Sequence, residues 1–298
     1  MSHADQLSHG DLQNHTSLPA ESRTAASRLV LSLFPGAGLL DRGFEQAGFC
    51  VVRGPDTVFG QRIEDFFPTC GHFCGVIGGP PCQDFSRARS RPPTGHGKRM
   101  LLQFARVVTE TQPEWWLMEN VPGVPDVHLP GYVTQRFNLY AVECGTWQKR
   151  NRAFQFGSRD GVLLCPRRTT RSHSGRRANT VMASGSRPKF SRLLKLQGLP
   201  DWFDLPGLSR TAKIRAVGNG VPVAMARIVA EAIRDRRVTD ARLCACGCGR
   251  VLDGVARQKT ATAACRKRIE RTRKGELPRG ILDFTPGAVT QPSGPSLF

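Results

Sequence analysis

The stretch RLVLSLFPGAGLLDRGFEQAGFCVVRGPD, residues 28–56, constrains the fold of this 298-residue chain more than any other. The apolar run Leu29 to Phe34 reads as a strand, and Pro35, Gly36 and Gly38 break it. Leu39, Leu40, Phe44 and Ala47 then recur at helical spacing, and Phe49 to Arg53 forms a second strand, so the chain opens as a βαβ unit. The two glycines allow a tight turn and close approach to a ligand, while the helix that follows offers its N-terminal N–H groups and positive dipole end. Taken alone, a purely structural turn accounts for this pattern equally well.

The alternation continues. CGVIGG is a strand, residues 87–99 a loop rich in Arg, Pro and Gly, RMLLQFARVVTET a helix, and EWWLMENV a strand ending on a polar pair. Strands alternating with helices predict an α/β fold, a doubly wound, mostly parallel Rossmann-like sheet. After AVECGTWQKRNRAFQFG the pattern decays, and it returns with FSRLLKLQGLPDWF and VPVAMARIVAEAIRD. The organisation expected is a disordered leader (1–27), an α/β body (28–157), a short basic segment (158–187), a return to the body (188–236), a basic cysteine-bearing unit (242–273) and a flexible tail (275–298).

The net charge of +19 is concentrated in two places: residues 148–192 carry +11 and residues 234–279 carry +9, leaving −1 for the rest. Two basic surfaces on a neutral body suit a nucleic-acid partner, although a biased genome would also enrich arginine. The ten cysteines are too few and too irregular for a secreted disulfide framework, so a reducing, cytoplasmic setting is expected. No apolar stretch is read as long enough to cross a bilayer, and the N-terminus lacks the pattern of a signal peptide. No membrane association is expected, and a monomer is.

In VIGGPPCQDFS the strand stops hard at two glycines and two prolines, which displays Cys82 on a stiff loop at the strand edge where ligands bind in open α/β sheets. Nearby basic residues would stabilise its thiolate and make it a nucleophile. Glu119 and Asn120 end the next strand and should emerge on the same edge. A nucleophile beside a carboxylic acid is what addition to a heteroaromatic ring requires, one attacking carbon and the other protonating a ring nitrogen. QKRNR sets Arg150 and Arg152 on one face of an extended segment, able to steady a carboxyl, a phosphate or a pyrimidine carbonyl. Cys70, His72 and Cys74 in CGHFC have the look of metal ligands, but they directly precede a core strand and are read as packing.

Together these motifs resemble the DNA (cytosine-5)-methyltransferases, of bacterial or phage type, and the resemblance runs from about Leu29 to Ala232 in the family's order. LFPGAGLLDRGFEQAGF resembles the cofactor loop, GGPPCQDFS the nucleophile loop, ENV the acid strand, QKRNR the Gln-x-Arg-x-Arg strand and AVGNGVPVAMA the closing segment. The resemblance implies a catalytic domain that transfers methyl from S-adenosyl-L-methionine to carbon 5 of cytosine in double-stranded DNA, as in restriction-modification systems. It implies that Cys82 adds to carbon 6, Glu119 serves N3, Arg152 supports the carbonyl with Arg150 beside it, and the target base is flipped out of the duplex. For the cofactor it implies Phe34, Gly36, Gly38, Gly79, Pro81 and Asn219, with Asp56 at the ribose hydroxyls and Ile63 near the adenine. The same chemistry on transfer RNA, or a DNA-binding homologue whose site has decayed, are the competing readings.

Four departures stand out. Leu39 replaces a glycine, the acid Asp56 is displaced by one position, and Arg62 precedes Ile63 where an acid is usual. The fourth is length, since residues 157–187 are too few for an independent target-recognition domain. At the C-terminal end, CACGCGRVLDGVARQKTATAACRKR brings Cys244, Cys246, Cys248 and Cys265 into range of a zinc knuckle, although the Cys-x-Cys-x-Cys spacing strains chelation by all of the first three.

Overall fold

The computed structural model describes residues 28–87, 89, 91–169 and 189–236, and beyond them 244–246, 252, 257–260, 263–274 and 281–283. The leader, most of the basic segment, Cys248 and nearly all of the tail lie outside the described residues.

The body is a six-stranded sheet with the order β2-β1-β3-β4-β7-β6. β1 (Leu29–Leu33), β2 (Cys50–Arg53), β3 (Gly75–Gly78) and β4 (Trp115–Asn120) run parallel. β7 (Asn151–Ser158) lies antiparallel between β4 and β6 (Val133–Tyr140), while β5 (Asp126–His128) pairs in parallel with the separate β8 (Ile281–Asp283). The predicted mostly parallel sheet thus carries an antiparallel edge. Central β3 is buried along its whole length and β4 nearly so, as expected for strands covered on both faces, whereas β6 alternates between inside and outside.

Helices α1 (Leu39–Gln46) and α5 (Val223–Arg234) cover one face, and α2 (His96–Thr111) covers the other. The strand period of two sends Trp115 into the first core and Trp116 into the second. Trp115 packs among Phe44, Phe49 and Phe156, and Trp116 stands edge-on to Phe104 with centroids 6.0 Å apart. α3 (Phe190–Gln197) and α4 (Arg210–Asn219) build a third cluster with Ala37 and Leu39 at the start of α1. Residues 190–234 are therefore packed onto the body through the segment that carries the glycine turn. Cys244 and Cys265, the latter on α6 (Ala263–Arg273), are buried in the first core cluster.

Contrary to the sequence reading, the run Arg210–Arg234 is by length and composition apolar enough to cross a bilayer. In the fold 61% of its most apolar window is buried inside the molecule, and it divides into α4 and α5 at Gly220–Pro222, so its apolar residues serve the core.

Candidate active site

At the end of β1 the backbone enters the left-handed region at Phe34 (φ 55°), Gly36 (φ 53°) and Gly38 (φ 72°). Such angles strain a residue as bulky as phenylalanine, so the turn must be held from outside. Asp56 is one clamp. Its Oδ2 accepts from the Gly36 N–H at 2.8 Å and its Oδ1 from the Val58 N–H at 2.7 Å, tying the exit of β2 to the exit of β1. A second clamp lies behind the turn, where buried Asp41 accepts from Ser32 Oγ and pairs with Arg53 at 2.9 Å. A side chain at Gly36 would point into open space, while one at Gly38 would strike Arg53. Leu39 packs against Gly220, where a Cβ would sit only 3.0 Å from it. The leucine in place of a glycine thus seals the turn against the segment after α4.

The register that sets Gly78 opposite Met118 carries Gly79 beside Glu119, and a Cβ at Gly79 would lie 3.4 Å from Glu119 Oε2. Two further contacts position the Pro-Pro-Cys loop. Buried Asn120 donates from Nδ2 to the Pro80 carbonyl at 2.9 Å. Asp84 accepts from the N–H groups of Thr94 at 2.9 Å and Gly97 at 2.8 Å, fixing the turn after Cys82 to the start of α2. Neither residue was assigned a role from sequence. The signal for Asn120 was its place in the polar pair that ends a buried strand.

Arg152, on β7, pairs with Glu119 through Nε and Oε1 at 2.9 Å, and both side chains are largely buried. Arg150 is fully buried and donates from Nη2 to the Asn219 carbonyl at 2.7 Å. Burial pushes the Glu119 carboxyl above the usual carboxylate range, against the pull of Arg152 and Arg150. Burial, then the neighbouring Arg152 charge, pulls Arg150 down to about 9, which leaves it a cation at neutral pH. The Cys82 thiol is pushed up, first by burial and second by Glu119, with Arg152 and Arg150 opposing. The arginines thus act in the sense expected from sequence, toward the thiolate, while burial and Glu119 act against them.

One cavity of about 200 Å³ joins these groups. Phe34, Gly36, Asp56, Gly79, Pro81, Cys82, Glu119, Arg152 and Asn219 line it together. Gly38, Ile63 and Arg150 do not. Gly38 caps α1 and Arg150 stands behind Asn219. Ile63 is 3% exposed in the second core, its carbonyl held by Arg106, and Arg62 beside it turns out to solvent. Away from the cavity, Cys74 is buried in the core with its thiol pushed up to about 12, chiefly by burial, and Cys70 is exposed. The sulfurs of Cys244, Cys246 and Cys265 converge within 4.8 Å of one another.

Residues 61–187 match the family model for C-5 cytosine-specific DNA methylases. The Type II methyltransferase M.HgiDI of Herpetosiphon aurantiacus is 32% identical over 45% of this chain and 53% of its own. M.AgeI of Thalassovita gelatinovora is 30% identical over 51% and 44%. M.AplI of Arthrospira platensis matches more of both chains, 74% and 89%, at 22% identity. The chain spans about half the length of the first two. Among solved structures, one described as a DNA modification methyltransferase encoded within an E. coli prophage superposes with a TM-score of 0.52 at 17% identity, covering 70% of this chain and 98% of that one. The Entamoeba histolytica methyltransferase EhMeth gives 0.50 at 12%, covering 70% and 98%. These structural likenesses establish the fold, a Rossmann-like methyltransferase sheet. The matched span holds both Cys82 and Glu119, and over that span the chain is similar to the C-5 cytosine-specific DNA methylases.

Proposed function

We propose that the chain transfers a methyl group from S-adenosyl-L-methionine to carbon 5 of cytosine in double-stranded DNA, through a covalent adduct at Cys82 on a base swung out of the helix. The observation that carries this reading is the single cavity running from the strained glycine turn to Cys82 and Glu119. The residues present fit the cofactor. The left-handed turn leaves open space beside Gly36, and Asp56 supplies carboxylate oxygens at the end of β2, where ribose hydroxyls bind in folds of this kind. Phe34, Gly79, Pro81 and Asn219 complete the wall. When bound, S-adenosyl-L-methionine supplies an electrophilic methyl group.

The side chains then divide the work. The Cys82 sulfur gives up its proton to solvent and bonds to carbon 6, while Glu119, whose raised affinity for a proton suits a donor, protonates N3. Arg152 holds the Glu119 carboxyl in place and bears on the ring carbonyl, and Arg150 fixes the Asn219 wall. Carbon 5, now nucleophilic, takes the methyl group. Return of the N3 proton to Glu119, loss of the carbon 5 proton to water and departure of the Cys82 thiolate restore the aromatic ring. A stacked base cannot enter a site lined by two strand ends, so the target must leave the helix.

The basic segments around residues 148–192 and 234–279 would contact phosphates, which carry affinity without sequence information. One copy supplies every side chain the chemistry uses, and we take a monomer in the cytoplasm as the acting form. Bisulfite sequencing of DNA from cells expressing the chain tests the proposal. It should report protected cytosines in a short sequence context, absent from cells expressing Cys82→Ala; no protection in either would refute it.

A further inference from the structure

We infer that Cys244, Cys246 and Cys265 bind a zinc ion, and that this ion fastens the basic helix α6 to the body of the protein. The three sulfurs lie within 4.8 Å of one another, with those of Cys244 and Cys246 3.4 Å apart. Zinc–sulfur bonds of about 2.3 Å in a tetrahedron set sulfur–sulfur edges of about 3.8 Å, so the observed spacings bracket what the ion requires. The donors come from two separate elements, a turn and a helix. Cys244 and Cys265 are 3% and 4% exposed, which shields a metal from competing ligands. The Ala245 N–H donates to the Lys259 carbonyl at 2.8 Å, tying the turn that carries Cys244 and Cys246 to a residue shortly before α6 in the chain.

The helix itself supplies an independent reason. The sequence AACRKRIERTR has almost no apolar face, and Arg266, Lys267, Glu270, Arg271 and Arg273 are exposed. An 11-residue helix of this kind is marginal on propensity alone. Among its described side chains Cys265 is the one fully buried and Ile269 is partly so, which makes that sulfur the main described anchor of α6 on the core. Soft thiolate donors select zinc among the available divalent ions, and each thiol releases its proton to solvent on binding. The metal assignment stands apart from the methyl-transfer reading.

The test uses the full chain, purified under reducing conditions and loaded with zinc chloride. One zinc per chain should survive gel filtration, and cobalt should give thiolate charge-transfer absorption. Chelation should speed tryptic cleavage within 266–273. Cys265→Ser should lose the ion, Cys265→His should keep it with an altered cobalt spectrum, and Cys50→Ser, at an exposed cysteine outside the cluster, should keep it unchanged. A parent-like far-ultraviolet circular dichroism spectrum and a cooperative unfolding transition in Cys265→Ser would show that the body remains folded. Well under one zinc per loaded parent chain, full zinc in Cys265→Ser, or a Cys244–Cys246 disulfide in the reduced preparation would overturn the inference.

Discussion

Replacing Gly43 by alanine sets two effects of opposite sign against each other. Alanine is the better helix former by about 1 kcal/mol, so propensity alone predicts a more stable protein. In the fold, however, Gly43 faces α5, and an added Cβ would lie 2.4 Å from Ala226 Cβ and 2.7 Å from the Arg227 backbone nitrogen. Carbon atoms need about 3.5–4.0 Å, so the helices must part by about 1 Å. The obstacle is backbone and a Cβ, with no flexible side chain to give way. Overpacking costs about 1–3 kcal/mol, and such a rigid contact belongs at the upper end, about 3 kcal/mol. The difference is a net loss of about 2 kcal/mol, or roughly 4–8 °C in the unfolding midpoint for a body of this size. Calorimetry of Gly43→Ala against the parent measures it, with Glu45→Ala on the exposed face of the same helix as a control expected within about 0.5 kcal/mol. Because α1 begins at the glycine turn, affinity for S-adenosyl-L-methionine should weaken as well. An unchanged or raised midpoint would refute the claim that α1 and α5 approach too closely at Gly43 to admit a Cβ.

Other expectations concern the cavity. Glu119→Gln should slow methyl transfer by about 10²–10⁴-fold while alkylation of Cys82 by iodoacetamide becomes faster, since Glu119 is one of the groups that push the thiol's proton affinity up; slower alkylation would count against this electrostatic account. Folding raises the proton affinity of Glu119, so that contribution to stability is present below the ordinary carboxylate pKa and is lost as pH rises through the higher folded value. Urea titrations across that range should show this decline in the parent and lack it in Glu119→Gln. Asp56→Ala removes the acceptor for the Gly36 and Val58 N–H groups, which should cost about 1–3 kcal/mol and weaken cofactor binding, with Asp56→Asn intermediate by titration calorimetry; parent-like affinity in the alanine variant would remove Asp56 from the site.

The sequence displayed the cavity-lining groups because proline and glycine mark strand ends without ambiguity. The parallel half of the sheet, Cys82 and the Glu119–Asn120 strand end follow from that punctuation. β6 was missed although VTQRFNLY alternates with strand period, because its partner β7 is an antiparallel neighbour that only the tertiary fold selects. Ile63, expected near an adenine, is buried in the second core cluster and does not line the cavity. A single apolar residue before a turn does not reveal which side of the sheet it packs on. Local sequence displays the arginines that favour a Cys82 thiolate, whereas the burial that opposes it is set by the tertiary fold and has no local pattern. The contact of Gly43 with Ala226 spans most of the chain and has no local signature at all.

The central claim is that the Cys82 sulfur bonds to a cytosine held beside Glu119 and a methyl donor. A DNA duplex carrying 5-fluorocytosine at the methylated position tests it most directly, because fluorine cannot leave carbon 5 as a proton would and the adduct is trapped. Mass spectrometry of the digested complex should find the methylated nucleotide attached to the peptide containing Cys82, only when S-adenosyl-L-methionine is present. An adduct on another residue, or methyl transfer to ordinary duplex with no trapped complex on the fluorinated one, would contradict the account.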